Sequence, residues 1–212
     1  MRSRRPFFYR GLDKIVNRLE SKYVLGRRLL KVRDKLLERF KLGLVNFNHA
    51  ALEITLAAHL LYMGFHVDVE HEVEDKVVDV YAVKEADLSA EVETGYVPFK
   101  SAHNPLDFLA SRIASKAVRY SGTASKFLIA VPPYYIPPIP EPLLKDPSER
   151  TEQDVIHLSQ LAFRYSTLPK FSESTVRSSK LDGVIVINVD DLEVRLLSPF
   201  TFKSISELLY NA

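Results

Sequence analysis

Three acidic residues are spaced so that their side chains can meet. Residues 77–98 read VVDVYAVKEADLSAEVETGYVP, with Asp79 in one β-branched segment and Glu91 and Glu93 at alternating positions of the next. Strand side chains alternate between two faces, so Glu91 and Glu93 share a face. Facing residues of adjacent antiparallel strands lie ~5 Å apart. The spacing therefore predicts a cluster of three carboxylates.

Such a cluster needs compensation by protons or cations. At an effective dielectric constant of ~20, each pair of charges ~5 Å apart costs about 3 kcal/mol. Glu53, on a helix predicted just upstream, adds a fourth charge if it points into the same space. Either some carboxylates are protonated or cations fill the site. Hard oxygen ligands suit Mg²⁺ or Mn²⁺.

The elements that position these residues follow from hydrophobic periodicity. Their order predicts an α/β protein with a mixed β-sheet flanked by helices. Strands are predicted at about 65–73, 76–83, 88–94 and 126–131, and on either side of a turn at Asp190–Asp191. Helices are predicted at about 12–19, 25–42, 51–63, 105–120 and 152–165, with a short one near the C-terminus.

Several helix ends carry capping signals. Asn48 is predicted to cap the third helix, and Asn104 to cap the fourth with proline at its first position. Thr151 and Asp154 resemble a capping box. Residues 1–10, MRSRRPFFYR, are expected to form a flexible or docking arm.

The charge distribution is strongly asymmetric. Residues 1–42 hold 14 Lys/Arg and 4 Asp/Glu, a net of +10, and the other 170 residues hold 15 and 23, a net of −8. A basic segment on an acidic body indicates a polyanionic partner. Nucleic acid is the first candidate and an anionic membrane surface the second. The simpler alternative is an ordinary lysine- and arginine-rich helix surface.

Composition and motifs exclude several other kinds of site. The chain has no cysteine, so disulfides, iron–sulfur clusters and thiolate zinc sites are absent. Its six histidines lack a compact metal-binding spacing, and no nucleophile elbow or phosphate-binding glycine loop is present. No apolar run approaches the ~20 residues of a membrane span, and an intracellular location is expected.

The pattern V-D79-V-Y-A-V…A-E91-V-E93 resembles the core of the PD-(D/E)XK nuclease superfamily. The preceding helix with Glu53 resembles the Holliday-junction-resolvase branch. EVETGYVP followed by SRIASKAVRYS resembles nuclease-like proteins of archaeal spindle-shaped viruses, which implies the host cytoplasm if the protein is viral. The resemblance implies a restriction-endonuclease-like domain over 45–212, after a basic helical extension over 1–44.

The resemblance also implies roles for single residues. Asp79 and Glu91, assisted by the main-chain carbonyl of Val92, would bind Mg²⁺ or Mn²⁺, and Glu53 would complete or orient the metal shell. The ion would activate a water and stabilise charge on the scissile phosphate.

The sequence departs from the superfamily pattern at two positions. Val78 replaces the proline, which does no chemistry. Glu93 replaces the lysine that normally orients the attacking water, and it would act as a general base or bind a second cation.

A basic group elsewhere could replace that lysine. Arg112, Lys116 and Arg119 fall at i, i+4 and i+7 of the predicted fourth helix, so they share one face. If this face borders the three predicted strands at about 65–73, 76–83 and 88–94, Lys116 reaches the carboxylates. If it does not, the three residues form a solvated stripe or bind phosphates elsewhere.

We therefore expect a metal-dependent DNA endonuclease, acting on branched DNA if the resolvase likeness extends to substrate. The alternative is a non-catalytic DNA-binding protein on a nuclease fold, as Glu93 suggests. Resolvase-like relatives imply a homodimer. The residues expected to bind DNA are Arg2, Arg4, Arg5, Arg27, Arg28, Lys31, Arg112 and Arg119.

Overall fold

Six strands form one mixed sheet in the computed structural model, which describes residues 5–165 and 171–210. The strands lie side by side in chain order. The first three are antiparallel, the third to the fifth are parallel, and the last is antiparallel again. Their bounds are β1 His66–Val73, β2 Lys76–Val83, β3 Asp87–Val92, β4 Lys126–Val131, β5 Gly183–Asn188 and β6 Glu193–Leu197.

Helices cover both faces of the sheet, so the predicted α/β class with a mixed sheet is confirmed. The first three helices share one apolar core with one face, and the later helices share a second core with the other face. The helices are α1 Arg5–Tyr23, α2 Arg27–Lys41, α3 Phe47–Tyr62, α4 Pro105–Tyr120, α5 Glu152–Phe163, α6 Glu173–Ser178 and α7 Pro199–Tyr210. Within the described residues, no helix is both long enough and apolar enough to cross a membrane.

The N-terminal segment differs from the expected arm. Residues 6–10 belong to α1, and residues 1–4 lie outside the described part of the chain. Phe8 is 3% exposed and stacks on Phe40 of α2, with ring centroids 3.6 Å apart. Packing of this aromatic pair outweighs the basic character that suggested a flexible or docking arm. The helix therefore begins seven residues earlier than periodicity predicted.

The caps match the sequence prediction in part. The capping box of Thr151 and Asp154 on α5 is confirmed. α3 is capped by Asn46 rather than Asn48, because the helix begins at Phe47 and the backbone N–H of His49 donates to Asn46 Oδ1 at 3.1 Å. Asn104 precedes α4 but makes no side-chain cap bond. α6, only six residues long, has too little periodicity to be predicted.

The sheet topology decides where functional side chains can gather. β3, β4 and β5 are parallel, so their carboxyl ends meet at one edge of the sheet. The N-terminus of α3 lies at the same edge, because Phe47 and Asn48 border a cavity together with Pro132 and Asn188, which follow β4 and end β5. We call this the carboxyl edge.

A buried arginine holds together the segment between β4 and β5. Arg150 is 4% exposed, and its guanidinium donates to the carbonyls of Pro142 at 2.7 Å, Arg177 at 2.8 Å and Ser179 at 2.5 Å. Carbonyl oxygens thus replace the water that a buried cation loses. The loop after β4 and the end of α6 are tied together through this one side chain.

We expect Arg150→Ala to lower the free energy of unfolding by roughly 2–4 kcal/mol, because several buried carbonyls lose a charged donor. Urea denaturation followed by circular dichroism measures the change. Arg195→Ala, on an exposed stretch of β6, is the control and should shift stability by less than about 0.5 kcal/mol. Equal midpoints for the two variants would contradict the role of Arg150.

Candidate functional site

Asp79 and Glu91 meet between β2 and β3 as the sequence predicted. The register pairs Val80 with Ala90, which places Asp79 opposite Glu91. The backbone N–H of Asp79 donates to Glu91 Oε1 at 3.2 Å, and that of Val92 donates to Asp79 Oδ2 at 2.6 Å. The two carboxylates are therefore fixed by each other's strand.

Glu93 joins the same cluster through two cations of α4. Arg112 Nε lies 3.1 and 3.0 Å from the two carboxylate oxygens of Glu93, and Arg112 Nη2 lies 2.6 Å from Oε1. Lys116 Nζ lies 3.2 Å from the same Oε1. The predicted face of α4 therefore borders the carboxylates, with Arg112 and Lys116 turned toward them. Arg119, one turn on, lies over the ring of Tyr120 instead.

The ammonium of Lys116 lies at the centre of the cluster. It donates to the carbonyl oxygen of Val92 at 2.9 Å and lies 3.1 Å from Glu91 Oε2 and 3.7 Å from Asp79 Oδ2. Its side chain is 14% exposed. A buried cation thus contacts the very oxygens that the superfamily resemblance assigns to a metal ion. We call Glu53, Asp79, Glu91, Glu93, Arg112 and Lys116 the carboxylate site.

α3 contributes two further side chains, one of which the sequence analysis missed. Glu53 is fully buried, and neither of its carboxyl oxygens has a hydrogen-bond partner. His49, one turn earlier on the same helix, places Nε2 3.1 Å from Asp79 Oδ2. The signal for His49 was its i, i+4 spacing to Glu53, which puts both on one helix face.

A second missed residue is Glu70 on β1. The register of β1 with β2 places Glu70 opposite Asp79, and its backbone adopts a positive φ of 48°. Glu70 is 9% exposed, and burial together with the charge of Asp79 raises its pKa. It therefore adds a fifth carboxyl group whose charge interacts with that of Asp79.

The negative charges of these carboxyl groups are offset in two ways, by protonation of some of them and by nearby cations. Burial and the charge of Asp79 raise the pKa of Glu91 to about 8, and the same two causes raise the pKa of Glu53 well above its usual value. Although burial opposes it, contact with Lys116 and His49 lowers the pKa of Asp79 to about 2.

The carboxylate of Glu93 forms ion pairs with Arg112 and Lys116. Burial opposes ionisation of Glu93, yet Lys116 and Arg112 lower its pKa, and the carboxylates raise that of Lys116. The contacts of the carboxylate site therefore favour the charged forms of Asp79, Glu93, Lys116 and Arg112, whereas burial favours the protonated forms of Glu91 and Glu53.

The oxygen atoms of this site are of the kind that a hard divalent ion binds, but several of them already contact the ammonium of Lys116. The unpartnered carboxyl oxygens of buried Glu53, with Asp79, Glu91 and the Val92 carbonyl, are the ligand types that Mg²⁺ or Mn²⁺ takes. In residues 5–165 and 171–210, no three His, Asp or Glu side chains are arranged to hold a metal as they stand. An ion that takes these oxygens has to displace the ammonium of Lys116.

The basic residues of the N-terminal helices divide into two sets. Arg28 reaches the carbonyl of Leu61 at 3.5 Å, whereas Lys35 pairs with Asp68 and Arg33 with Asp34. Arg27 and Lys31 are exposed on α2 and have no ion pair within the described residues.

The other residues expected to bind DNA have different positions. Arg2 and Arg4 lie outside the described residues, and Arg5 begins α1. Arg112 is engaged with Glu93, so its charge is compensated inside the protein. Part of the basic charge thus serves the fold rather than an external surface.

Comparisons with protein-family models, with curated proteins and with solved structures find no match for this chain.

We expect the stability of Glu91→Gln relative to wild type to rise with pH. Native Glu91 keeps its proton up to about pH 8, whereas an unfolded glutamate loses it near 4.5. The native state binds more protons over this window, so wild-type stability declines there by on the order of 1 kcal/mol per pH unit from this group. Glutamine cannot ionise, so the variant does not show this decline in the free energy of unfolding.

Urea denaturation in EDTA from pH 4.5 to 8.5 tests this expectation. Glu85→Gln, in the exposed β2–β3 turn, controls for the substitution. A difference between Glu91→Gln and wild type that stays constant across the pH range would contradict the assigned protonation.

Proposed function

We propose that this protein is a metal-dependent DNA endonuclease of the PD-(D/E)XK type, with a restriction-endonuclease-like sheet. One observation carries the proposal. Lys116 brings an ammonium within 3.7 Å of Asp79 and 3.1 Å of Glu91, which supplies from a helix the positive charge missing at position 93. A lysine beside two carboxylates is the set that phosphodiester hydrolysis needs.

Each residue of the carboxylate site has a distinct task in this proposal. Asp79, Glu91 and the Val92 carbonyl would hold a divalent ion, and the carboxyl group of Glu53 would support them. Such an ion would supply Lewis-acid activation of a water and of the phosphate. Lys116 would orient the water or stabilise the developing negative charge.

Glu93 positions this machinery rather than acting as the general base. Its carboxylate accepts from Arg112 and lies beside Lys116, and its lowered pKa makes it a poor proton acceptor near neutrality. Replacing Glu93 with lysine would bring a third cation beside Arg112 and Lys116, so that change is not a simple restoration of the superfamily pattern.

One observation favours a second candidate, a non-catalytic DNA-binding protein on the same fold. Lys116 already satisfies the Val92 carbonyl and pairs with the carboxylates, so the site is electrically balanced without an ion. In this alternative Lys116 is a permanent structural cation. Binding of DNA then persists in EDTA, and no cleavage appears with any divalent ion.

The DNA contact in both cases is proposed to involve the exposed cations of α1 and α2. Arg27 and Lys31 are spaced i, i+4 on α2, and Arg10 and Lys14 have the same spacing on α1. A four-way junction presents two symmetric strands, so a homodimer is proposed for that substrate.

We expect Asp79→Asn to abolish cleavage of linear or four-way DNA in Mg²⁺ or Mn²⁺. Asparagine keeps an oxygen for the Val92 N–H but lacks the charge that holds the ion and Lys116. A loss of at least roughly 100-fold in cleavage rate is expected, measured on labelled DNA by gel electrophoresis. Asp75→Asn, in the exposed β1–β2 turn, is the matched control.

The same assay separates the two candidates. Cleavage by wild type and the Asp75 variant, but not by Asp79→Asn, supports the endonuclease. Equal cleavage by wild type and Asp79→Asn rules out this mechanism. Binding without cleavage by wild type, unaffected by EDTA, favours the non-catalytic alternative.

We expect Arg27→Gln/Lys31→Gln to weaken duplex binding and to reduce the slope of log affinity against log salt by about 2, because each contact contributes ~0.9. Arg33→Gln/Lys35→Gln, on the same helix, removes the same net charge from cations already paired with aspartates. Fluorescence anisotropy at several salt concentrations compares them. An equal slope change in both variants would mean that α2 acts only through net charge.

A further inference from the structure

A cavity with aromatic walls opens beside the carboxylate site. It encloses about 200 Å³ at the carboxyl edge, between the start of α3, the loop after β4 and the end of β5. Phe47 and Asn48 line it from α3, Tyr134 from the loop, Asn188 from the end of β5 and Asp190 from the turn that follows. We call this cavity the aromatic pocket.

The aromatic pocket and the carboxylate site flank the same two turns of α3. Phe47 and Ala51 line the pocket, whereas His49 and Glu53 face the carboxylates. Positions two residues apart on a helix point roughly 200° away from each other. The pocket and the carboxylate site therefore border different faces of the first two turns of α3.

The chemistry of the pocket suits a base rather than a phosphate. Tyr134 is 77% exposed, so its ring is available for stacking, whereas the ring of Phe47 packs edge-on against Phe8 and forms an apolar wall. Asn48 carries an exposed amide that can donate and accept, whereas Asn188 is engaged by the β5–β6 turn. Within the described part of the chain, the lining contains no lysine or arginine, and Asp190 would repel a phosphate.

We infer that the aromatic pocket binds one unpaired nucleobase of the DNA strand that crosses the carboxylate site. This inference rests on the proposed function. An apolar cavity of about 150 Å³ is enough to hold benzene, so the pocket is large enough for a single base ring. A paired base cannot reach it, so the preferred substrate is DNA with unpaired or splayed bases near the phosphate that is cut.

The test compares two DNAs of equal length in EDTA, so that binding is read without cleavage. One is a fully paired duplex, and the other carries a central bulge of unpaired bases with 2-aminopurine, whose fluorescence responds to stacking. Tyr134→Ala is expected to weaken binding of the bulged DNA by roughly five- to 150-fold, the loss of one stacked base. Affinity for the paired duplex is expected to change less than about twofold.

Two variants make this result specific. Tyr134→Phe retains the ring and should restore binding of the bulged DNA and the 2-aminopurine signal. Tyr62→Ala removes an exposed tyrosine at the opposite end of α3 and should match wild type. A urea midpoint for each variant confirms that the fold is kept.

The outcomes separate this inference from the proposed function. If wild type binds DNA, but Tyr134→Ala matches it on the bulged DNA with an unchanged 2-aminopurine signal, the base-binding pocket is rejected and the DNA function stands. The pocket would then be left to an apolar side chain of a protein partner. If Tyr134→Ala weakens both DNAs equally, Tyr134 is a general contact and the inference is again rejected. If wild type binds neither DNA, both proposals fail.

Discussion

The local structure depends on the contacts that the ammonium of Lys116 makes with the carboxylates of Asp79, Glu91 and Glu93. Four acidic side chains gather around Asp79, and burial alone would disfavour the charged form of all five. Lys116 and Arg112 compensate two of the charges, and protons on Glu91 and Glu53 remove two more. α4 is therefore held against the sheet by charge as well as by its apolar face.

This arrangement links the fold to the proposed chemistry. A strand-borne lysine would have a fixed orientation, because strand side chains alternate and the backbone is locked by its neighbours. A helix-borne lysine has a long flexible side chain that reaches the same oxygens from across the site. The ammonium that pairs with these carboxylates is thus also the group that would assist hydrolysis in the proposed function. The same contact underlies both the catalytic and the non-catalytic proposal, and the two differ in whether Lys116 is displaced.

The N-terminal helices show a similar double use of charge. Their apolar faces join the core, so that Leu12, Leu29 and Leu36 are fully buried beneath α3 and the sheet. Several of their cations bind carbonyls or carboxylates of the body, as Lys22 does with the carbonyl of Leu192. A count of basic residues therefore overstates the charge available to a polyanion. The cations that remain exposed and unpaired within the described residues are the ones that matter for the DNA proposal.

The sequence by itself determined the elements of the sheet, the meeting of Asp79 with Glu91, and the basic face of α4. These follow from local rules, since alternation fixes strand faces and the 3.6-residue period fixes helix faces. Only the tertiary structure decided that Lys116 lies among the carboxylates, that His49 and Glu70 join them, and that Arg112 is engaged by Glu93. The aromatic pocket likewise arises where α3, the β4 loop and β5 come together. Those outcomes depend on how distant segments pack, and no periodicity within one segment encodes the distance to another.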